Sequence, residues 1–465
     1  MISKIGVVGM GYVGIPAALL FADYREFNFV YGFQRNSESS GYKIDMLNRG
    51  ELPFKGNEPG LKDLLQKVIS KKKFECTSDF SKLSDMDAIT ISIQTPFLNK
   101  NDLIPDYTSL LDGVKQIGKN MSYETLVVLE STVTPGTTQN IIKPLLEKES
   151  GLEAGIDFYL AHAPERVMVG RLLQNIREHD RVVGGIDRLS TLRACDLYCH
   201  VLTKGKIIPM SATAAEVTKT AENTFRDLQI AAVNELALYC EAIGVNIYDV
   251  RNGIASLKGE GITRAILYPG AGVGGHCLTK DTYHLERGVK LSGHLDYPQG
   301  KDSLYTLARD VNDFMPEHMF SLMNNAMDRV GLKYDTATVV MLGWSFIADS
   351  DDTRNTPSEI CYNKFIANRT KVMVHDPYVS KYANVTFIPN LEHALYNVDA
   401  VIIFTAHNEY KRFFKNPLKV KNLMGKEHPI IIDGRNIIDP DEYINCGFIY
   451  KGVGRGDKNN HKLVI

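Results

Sequence analysis

Two doubly wound parallel α/β domains joined by a central helical domain are the fold class predicted by this 465-residue sequence. Three observations carry that prediction. The chain opens on a β-type run that leads directly into a glycine-patterned turn and an apolar helix. Short apolar runs then alternate with segments of helical periodicity. After a long helical stretch the alternation starts again near Leu332.

The first run is KIGVV, Lys4 to Val8, followed by Gly9-Met10-Gly11-Tyr12-Val13-Gly14 and the helix-like IPAALLFA. Strand, glycine turn and helix in this order make a dinucleotide fingerprint of the Rossmann type. One glycine makes the tight turn, one lets the backbone approach a pyrophosphate, and one lets helix pack on strand. The helix N-terminus adds N–H groups and partial positive charge for the phosphates. Gly9, Gly11, Tyr12, Val13 and Gly14 are therefore expected to bind a cofactor. A second strand, Phe27 to Phe33, follows and ends Gly32-Phe33-Gln34-Arg35-Asn36-Ser37. The acid that takes the ribose 2′-OH of NAD, expected about 20 residues after the glycines, is replaced by Gln34. Either Arg35, with Asn36 and Ser37, accepts a 2′-phosphate, or Arg35 stacks over the adenine or points to solvent, so NAD and NADP both stay open.

Runs at Ala88 to Pro96, Thr125 to Ser131 and Asp157 to Glu165 read as further strands, with helices at Tyr107 to Met121 and Thr137 to Leu146 between them. Ligands of such sheets lie beyond the strands' carboxyl ends, where Thr95, Pro96, Thr132, Glu165 and Arg166 fall. From Ala212 to about Gly244 a long helix carries Lys219 and Asn223, which share one face. The loop GAGVGGHCLTKD, Gly270 to Asp281, brings four glycines just before Cys277. Glycines let a backbone come close to a ligand, and a space-filling buried cysteine needs none, so this reads as an active-site loop. The third unit opens with Thr336 to Phe346, and the polar loop Ala348 to Glu359 follows its first strand, where a ligand is expected. The boundaries read are 1–208, 209–328 and 329–465.

Composition narrows the function classes. Hydrophobic residues make up 44% and charged residues 23%, with a net charge of -2, so nucleic acid and anionic membrane are not expected partners. The N-terminus begins a structured motif at once, and no apolar run reaches the roughly 18 residues of a membrane span, so cytoplasm is the expected location. Seven scattered cysteines argue against a disulfide framework. Cys195, Cys199 and His200 have metal-like spacing, but no second ligand cluster follows, and no metal is expected.

The glycine fingerprint, Glu130-Ser131-Thr132-Val133-Thr134-Pro135-Gly136-Thr137, Ala163-Pro164-Glu165-Arg166, Lys219 to Thr224, Gly274-Gly275-His276-Cys277, Asp351-Asp352-Thr353-Arg354 and Asp433 to Asn436 together resemble the UDP-glucose/GDP-mannose dehydrogenase family. The resemblance spans nearly the whole chain, in the family's order. His276-Cys277, with no serine before the cysteine, looks more like the branch acting on N-acetylhexosamine nucleotides. It implies oxidation of C6 of a UDP-sugar from alcohol to acid with NAD, for surface glycans, by a homodimer joined through the central helix. Cys277 would be the nucleophile, with Lys219 and Asn223 stabilising the oxyanion. Asp281, Glu165 or a water on Thr132 would move protons. Glu165, Arg166, Lys219, Asn223, Gly274 and Arg354 would hold substrate. Where the family has a lysine in the third-domain turn, this chain has Ile347 in Trp344-Ser345-Phe346-Ile347, which leaves Arg354 to meet the diphosphate alone. Alternatives are UDP-glucose or GDP-mannose as substrate, a catalytically idle nucleotide-binding protein, and a two-electron hydroxyacid dehydrogenase. The last would need neither the cysteine loop nor a second α/β domain.

Overall fold

A computed structural model describes residues 2–54, 58–99, 102–257, 266–293 and 303–459. The chain folds as two units, Met1–Asn223 with Lys280–Gly300, and Thr224–Thr279 with Lys301–Ile465.

The first unit is built in chain order from β1 (Lys4–Val8), α1 (Gly14–Asp23), β2 (Phe29–Phe33), α2 (Tyr42–Asn48), α3 (Leu61–Ser70), β3 (Phe74–Thr77) and β4 (Ala88–Ile91). A small hairpin, β5 (Phe97–Asn99) and β6 (Ile104–Pro105), comes next. Then come α4 (Thr108–Asn120), β7 (Leu126–Leu129), α5 (Lys143–Ser150), β8 (Tyr159–His162), α6 (Leu172–Glu178), β9 (Arg181–Gly185), α7 (Arg188–Cys199) and β10 (Ile207–Ser211). The eight-stranded sheet has the order β10-β9-β8-β7-β4-β1-β2-β3. Its inner strands are apolar without alternation because both faces are covered. In β7, Leu126 and Val128 face one core with α1, while Val127 and Leu129 face the other with α4. That is the two-residue period of a strand read out on two faces.

The expected all-parallel sheet is corrected at one joint: β8 and β9 pair antiparallel. The chain leaves β8 at its carboxyl end, forms α6, and re-enters the sheet at β9 from that same end. Arg181, the first residue of β9, thereby comes to the carboxyl end of β8. The expected helix at 137–146 is a π turn, Thr138–Ile142, continuing into α5.

A 31-residue helix, α8 (Ala212–Ala242), runs on from β10. It is followed by α9 (Ile247–Ser256), α10 (Asp281–Ser292) and α11 (Leu304–Val330). The second α/β element consists of β11 (Thr338–Leu342), α12 (Pro357–Ala367), β12 (Lys371–His375), β13 (Ala400–Ile403), β14 (Ile430–Asp433) and β15 (Ile449–Gly452), in the parallel order β12-β11-β13-β14-β15. Val339 and Met341 of β11 face a core shared with Met315, Met319 and Met323 of α11, and Val340 and Leu342 face the opposite one. Among the described residues no helix is long and apolar enough to cross a membrane.

Candidate active site

The glycine turn between β1 and α1 opens onto a cleft of about 950 Å³. Each glycine has its own cause. Gly9 holds φ +104°, and a Cβ on it would lie 2.7 Å from the Ser92 carbonyl oxygen. A Cβ on Gly14 would run into the Gly9 carbonyl, so only glycine lets α1 sit this close. Gly11 has nothing within 4 Å of its missing Cβ, which leaves backbone open to the cleft. Those features fit a dinucleotide pyrophosphate. At the end of β2, Gln34 does not point a free acceptor into the cleft. Its Oε1 accepts the Met10 N–H (3.1 Å), and its Nε2 donates to Ser40 Oγ (3.0 Å). Arg35, Pro96, Lys43 and Asp79 also line this cleft.

A chain of polar contacts lies at the carboxyl ends of β4, β7 and β8. Thr95 Oγ1 donates to the Thr132 carbonyl (2.6 Å) and accepts from Lys280 Nζ (3.5 Å). Lys280 pairs with Asp281 (2.9 Å), the first residue of α10, whose other carboxylate oxygen accepts from Asn223 Nδ2 (2.5 Å). One turn earlier on α8, Lys219 is buried at 7% exposure, with no hydrogen bond or ion pair among the described residues. Its ammonium and Arg181 add to burial in pushing His162 down to about 3. Arg181 binds Glu165 at one nitrogen and Glu130 (2.9 Å) at another, and lies 3.8 Å over the Tyr198 ring. Burial raises the Glu130 carboxyl, which Arg181 and hydrogen bonds from Ser92 and Tyr198 oppose. Arg166 is held by Glu222 (2.9 Å).

In the second unit the cysteine loop is clamped to the turn after β11. The Gly275 N–H donates to the Arg354 carbonyl (2.8 Å), and Asn355 Nδ2 donates to the Gly275 carbonyl (3.0 Å) and Thr279 Oγ1 (3.1 Å). Gly275 holds φ +89°, and a Cβ on Gly274 would lie 2.5 Å from Phe346 Cβ. Cys277 is exposed on this clamped loop, and no disulfide joins the seven cysteines. Arg354 pairs with Asp352 (2.8 Å).

The turn after β11, where the strand order reverses, is capped by a side chain of the same unit. The Asp376 carboxylate accepts the N–H groups of Trp344 (2.7 Å) and Ser345 (2.9 Å). An open cleft of about 840 Å³ lies past β13 and β14, with Tyr268, Lys411, Lys415, Arg435, Asp439 and Glu442 in its lining. Gly270 makes room for Arg435: a Cβ there would lie 2.7 Å from its Nη1.

Within the first unit the structure thus brings together Thr95, Thr132, Asn223 and Asp281, with Lys219 one helical turn away. Glu165 joins a separate network with Arg181. Cys277, Gly274 and Arg354 belong to the second unit. Sequence reasoning missed Ser40 and Lys43, whose only signal was closeness to Gln34, and Arg181, a charge opening an otherwise apolar strand. It also missed Arg435 as a cleft residue, although the Asp433 to Asn436 stretch had been singled out. Among the described residues, Asp196, Cys199 and His200 group at metal-like spacing, within 4.8 Å, without Cys195.

Comparison with known proteins bears on these arrangements. Residues 3–202 match the NAD binding domain of the UDP-glucose/GDP-mannose dehydrogenase family, 213–313 its central domain and 340–440 its UDP binding domain. A crystal structure of NDP-N-acetyl-D-galactosaminuronic acid dehydrogenase from Methanosarcina mazei is 63% identical, with 99% of this chain and 97% of that one covered and a TM-score of 0.87. UDP-N-acetyl-D-mannosamine dehydrogenase of Pyrococcus horikoshii is 36% identical over 98% of this chain and 100% of its own length. NDP-N-acetyl-D-galactosaminuronic acid dehydrogenase of Ralstonia solanacearum is 30% identical over 93% and 96%. The chain is therefore an oxidoreductase and belongs to the UDP-glucose/GDP-mannose dehydrogenase family.

Proposed function

We propose that this protein oxidises C6 of a UDP-N-acetylhexosamine from alcohol to carboxylate with a nicotinamide dinucleotide. The observation that carries the proposal is Cys277, exposed on a glycine loop clamped through Gly275 and Thr279. A fixed, accessible thiol is what covalent capture of an aldehyde requires. The 63% identity to the M. mazei enzyme favours the galacto sugar, with the manno epimer, named in the P. horikoshii relative, as the second reading.

The overall change converts one CH2OH, two oxidised dinucleotides and one water into one carboxylate, two reduced dinucleotides and three protons. Gly11 and the N–H groups that open α1 would hold a dinucleotide, which would supply the hydride acceptor for both oxidations. Cys277 sulfur adds to the aldehyde carbon, forming a C–S bond and a thiohemiacetal. Loss of the second hydride leaves a thioester, and water then breaks the C–S bond and returns the thiol. Lys219, a buried lysine with no ion-pair partner among the described residues, is the group we assign to favouring an alkoxide or tetrahedral oxyanion. Asp281, which pairs with Lys280 and accepts from Asn223, is our candidate proton acceptor, with Glu165 and a water on Thr132 as alternatives.

The three family segments support reading residues 1–208 as the dinucleotide domain, 209–328 as the central domain and 329–465 as the UDP domain. Exposed apolar side chains on α8, among them Val217, Phe225 and Tyr239, suit a homodimer joined along that helix. The unlinked cysteines suit a reducing cytoplasm. The product would be an aminosugar uronate for surface glycans.

The test is cofactor reduction against UDP-GalNAc, UDP-ManNAc, UDP-GlcNAc, UDP-glucose and GDP-mannose. About two reduced cofactors per N-acetylhexosamine are expected, and about one would point to the simple two-electron dehydrogenase. Cys277→Ser should stall turnover while UDP still binds. A normal steady-state rate in that variant would sink the covalent route.

A further inference from the structure

The end of β2 carries a consequence that the family name does not. A carboxylate recognises an adenosine ribose by accepting from its hydroxyl groups, and this strand has no carboxylate to offer. Gln34 is not a substitute for one, because its Oε1 is occupied by the Met10 N–H and its amide by Ser40. Beyond it the cleft is lined by Arg35, Asn36, Ser40 and Lys43, all donors or hydroxyls. Arg35 is exposed, and its guanidinium has no carboxylate partner among the described residues. Lys43 donates to the Met10 carbonyl (3.0 Å) and has no carboxylate partner among the described residues, so one cation is already partly desolvated at the glycine turn. Burial holds its ammonium below the usual lysine range, as expected for a cation with no anion beside it. The acids nearby are otherwise placed. Asp79, also on the cleft, accepts the N–H (3.1 Å) and hydroxyl (2.6 Å) of Ser81, and Glu38 is an exposed loop residue.

We propose that this corner is a 2′-phosphate site and that the protein binds NADP(H) in preference to NAD(H), with Arg35 and Lys43 as charge partners and Asn36 as a hydrogen-bond donor. The inference rests on the dehydrogenase reading above. A ribose 2′-phosphate is a near-dianion at neutral pH, and a guanidinium meets it with paired N–H groups. One such charge-assisted contact is worth about tenfold to a hundredfold in affinity.

The experiment titrates the full-length protein with NADPH and NADH separately, following the quench of protein fluorescence or the heat of binding. NADPH is expected to bind about tenfold or more tighter at low salt, with the ratio shrinking as ionic strength rises. Arg35→Gln should cut the NADPH-to-NADH affinity ratio by about tenfold, and Gln34→Asp should move it towards NADH. Equal binding, or tighter NADH, in the unaltered protein overturns this inference and leaves the dehydrogenase reading standing. A ratio insensitive to Arg35→Gln also overturns it. If neither dinucleotide binds, both readings fall.

Discussion

Arg181→Met offers a measurement whose size follows from the structure. Arg181 is 5% exposed and is shared by Glu130 and Glu165, with a further hydrogen bond to the Ala163 carbonyl (3.0 Å). Methionine fills most of its volume and removes its charge, leaving two carboxylates buried together. Breaking a buried pair by deleting one partner costs about 3 to 5 kcal/mol. The loss should depend on pH. Glu130 already has a raised pKa in the folded protein, and without Arg181 it rises further. A carboxyl raised on folding contributes stability at low pH that is lost as pH climbs through its folded value. The variant's deficit should therefore be large at pH 8 and smaller at pH 5. Hydrogen exchange measured by mass spectrometry on peptides covering β8 and β9 reads the local opening free energy, uncomplicated by the second unit. A deficit below about 1 kcal/mol, or one equal at both pH values, would refute the assignment of a buried charge bridge.

Three other outcomes are expected. His162 is buried, its pKa pushed down to about 3, so it folds neutral and destabilises the first unit by about 2 kcal/mol between pH 7 and pH 5 as the unfolded chain takes up a proton. His162→Phe should flatten that acid slope in a thermal-unfolding series, and an unchanged slope would dismiss it. Gly11→Ala should leave the unfolding temperature in place yet weaken dinucleotide binding about tenfold or more, whereas Gly14→Ala should lower the unfolding temperature because its Cβ meets the Gly9 carbonyl. Gly270→Ala, which displaces Arg435, should weaken UDP binding by about tenfold in calorimetry. Unchanged affinity would rule out a nucleotide contact for Arg435.

Much of the architecture was legible because its signals are local. The glycine spacing encodes a turn, an opening and a close packing within one short segment, and apolar runs covered on both faces read as parallel strands. The reversal of β9 was not legible, since a loop plus a helix looks the same in sequence whether it crosses the sheet or doubles back. The strand expected over Ala88 to Pro96 ends at Ile91 because the chain turns out into the β5–β6 hairpin. Lys43 and Ser40 belong to no motif and reach the cleft only because α2 starts beside the glycine turn. Asp376 is the clearest case of hidden logic. Nothing in the run from Lys371 to Pro377 announces that its carboxylate will cap two N–H groups on a neighbouring strand's turn.

That capped turn bears on inhibitor selectivity. A fragment that mimics pyrophosphate meets open backbone around Gly11 in the N-terminal sheet, but in the C-terminal sheet the equivalent turn already holds a built-in anion tied to Trp344 and Ser345. Two domains of kindred topology are therefore chemically unlike at the turn where a shared ligand would otherwise confuse them. An anion shaped for the first turn would meet a like charge at the second.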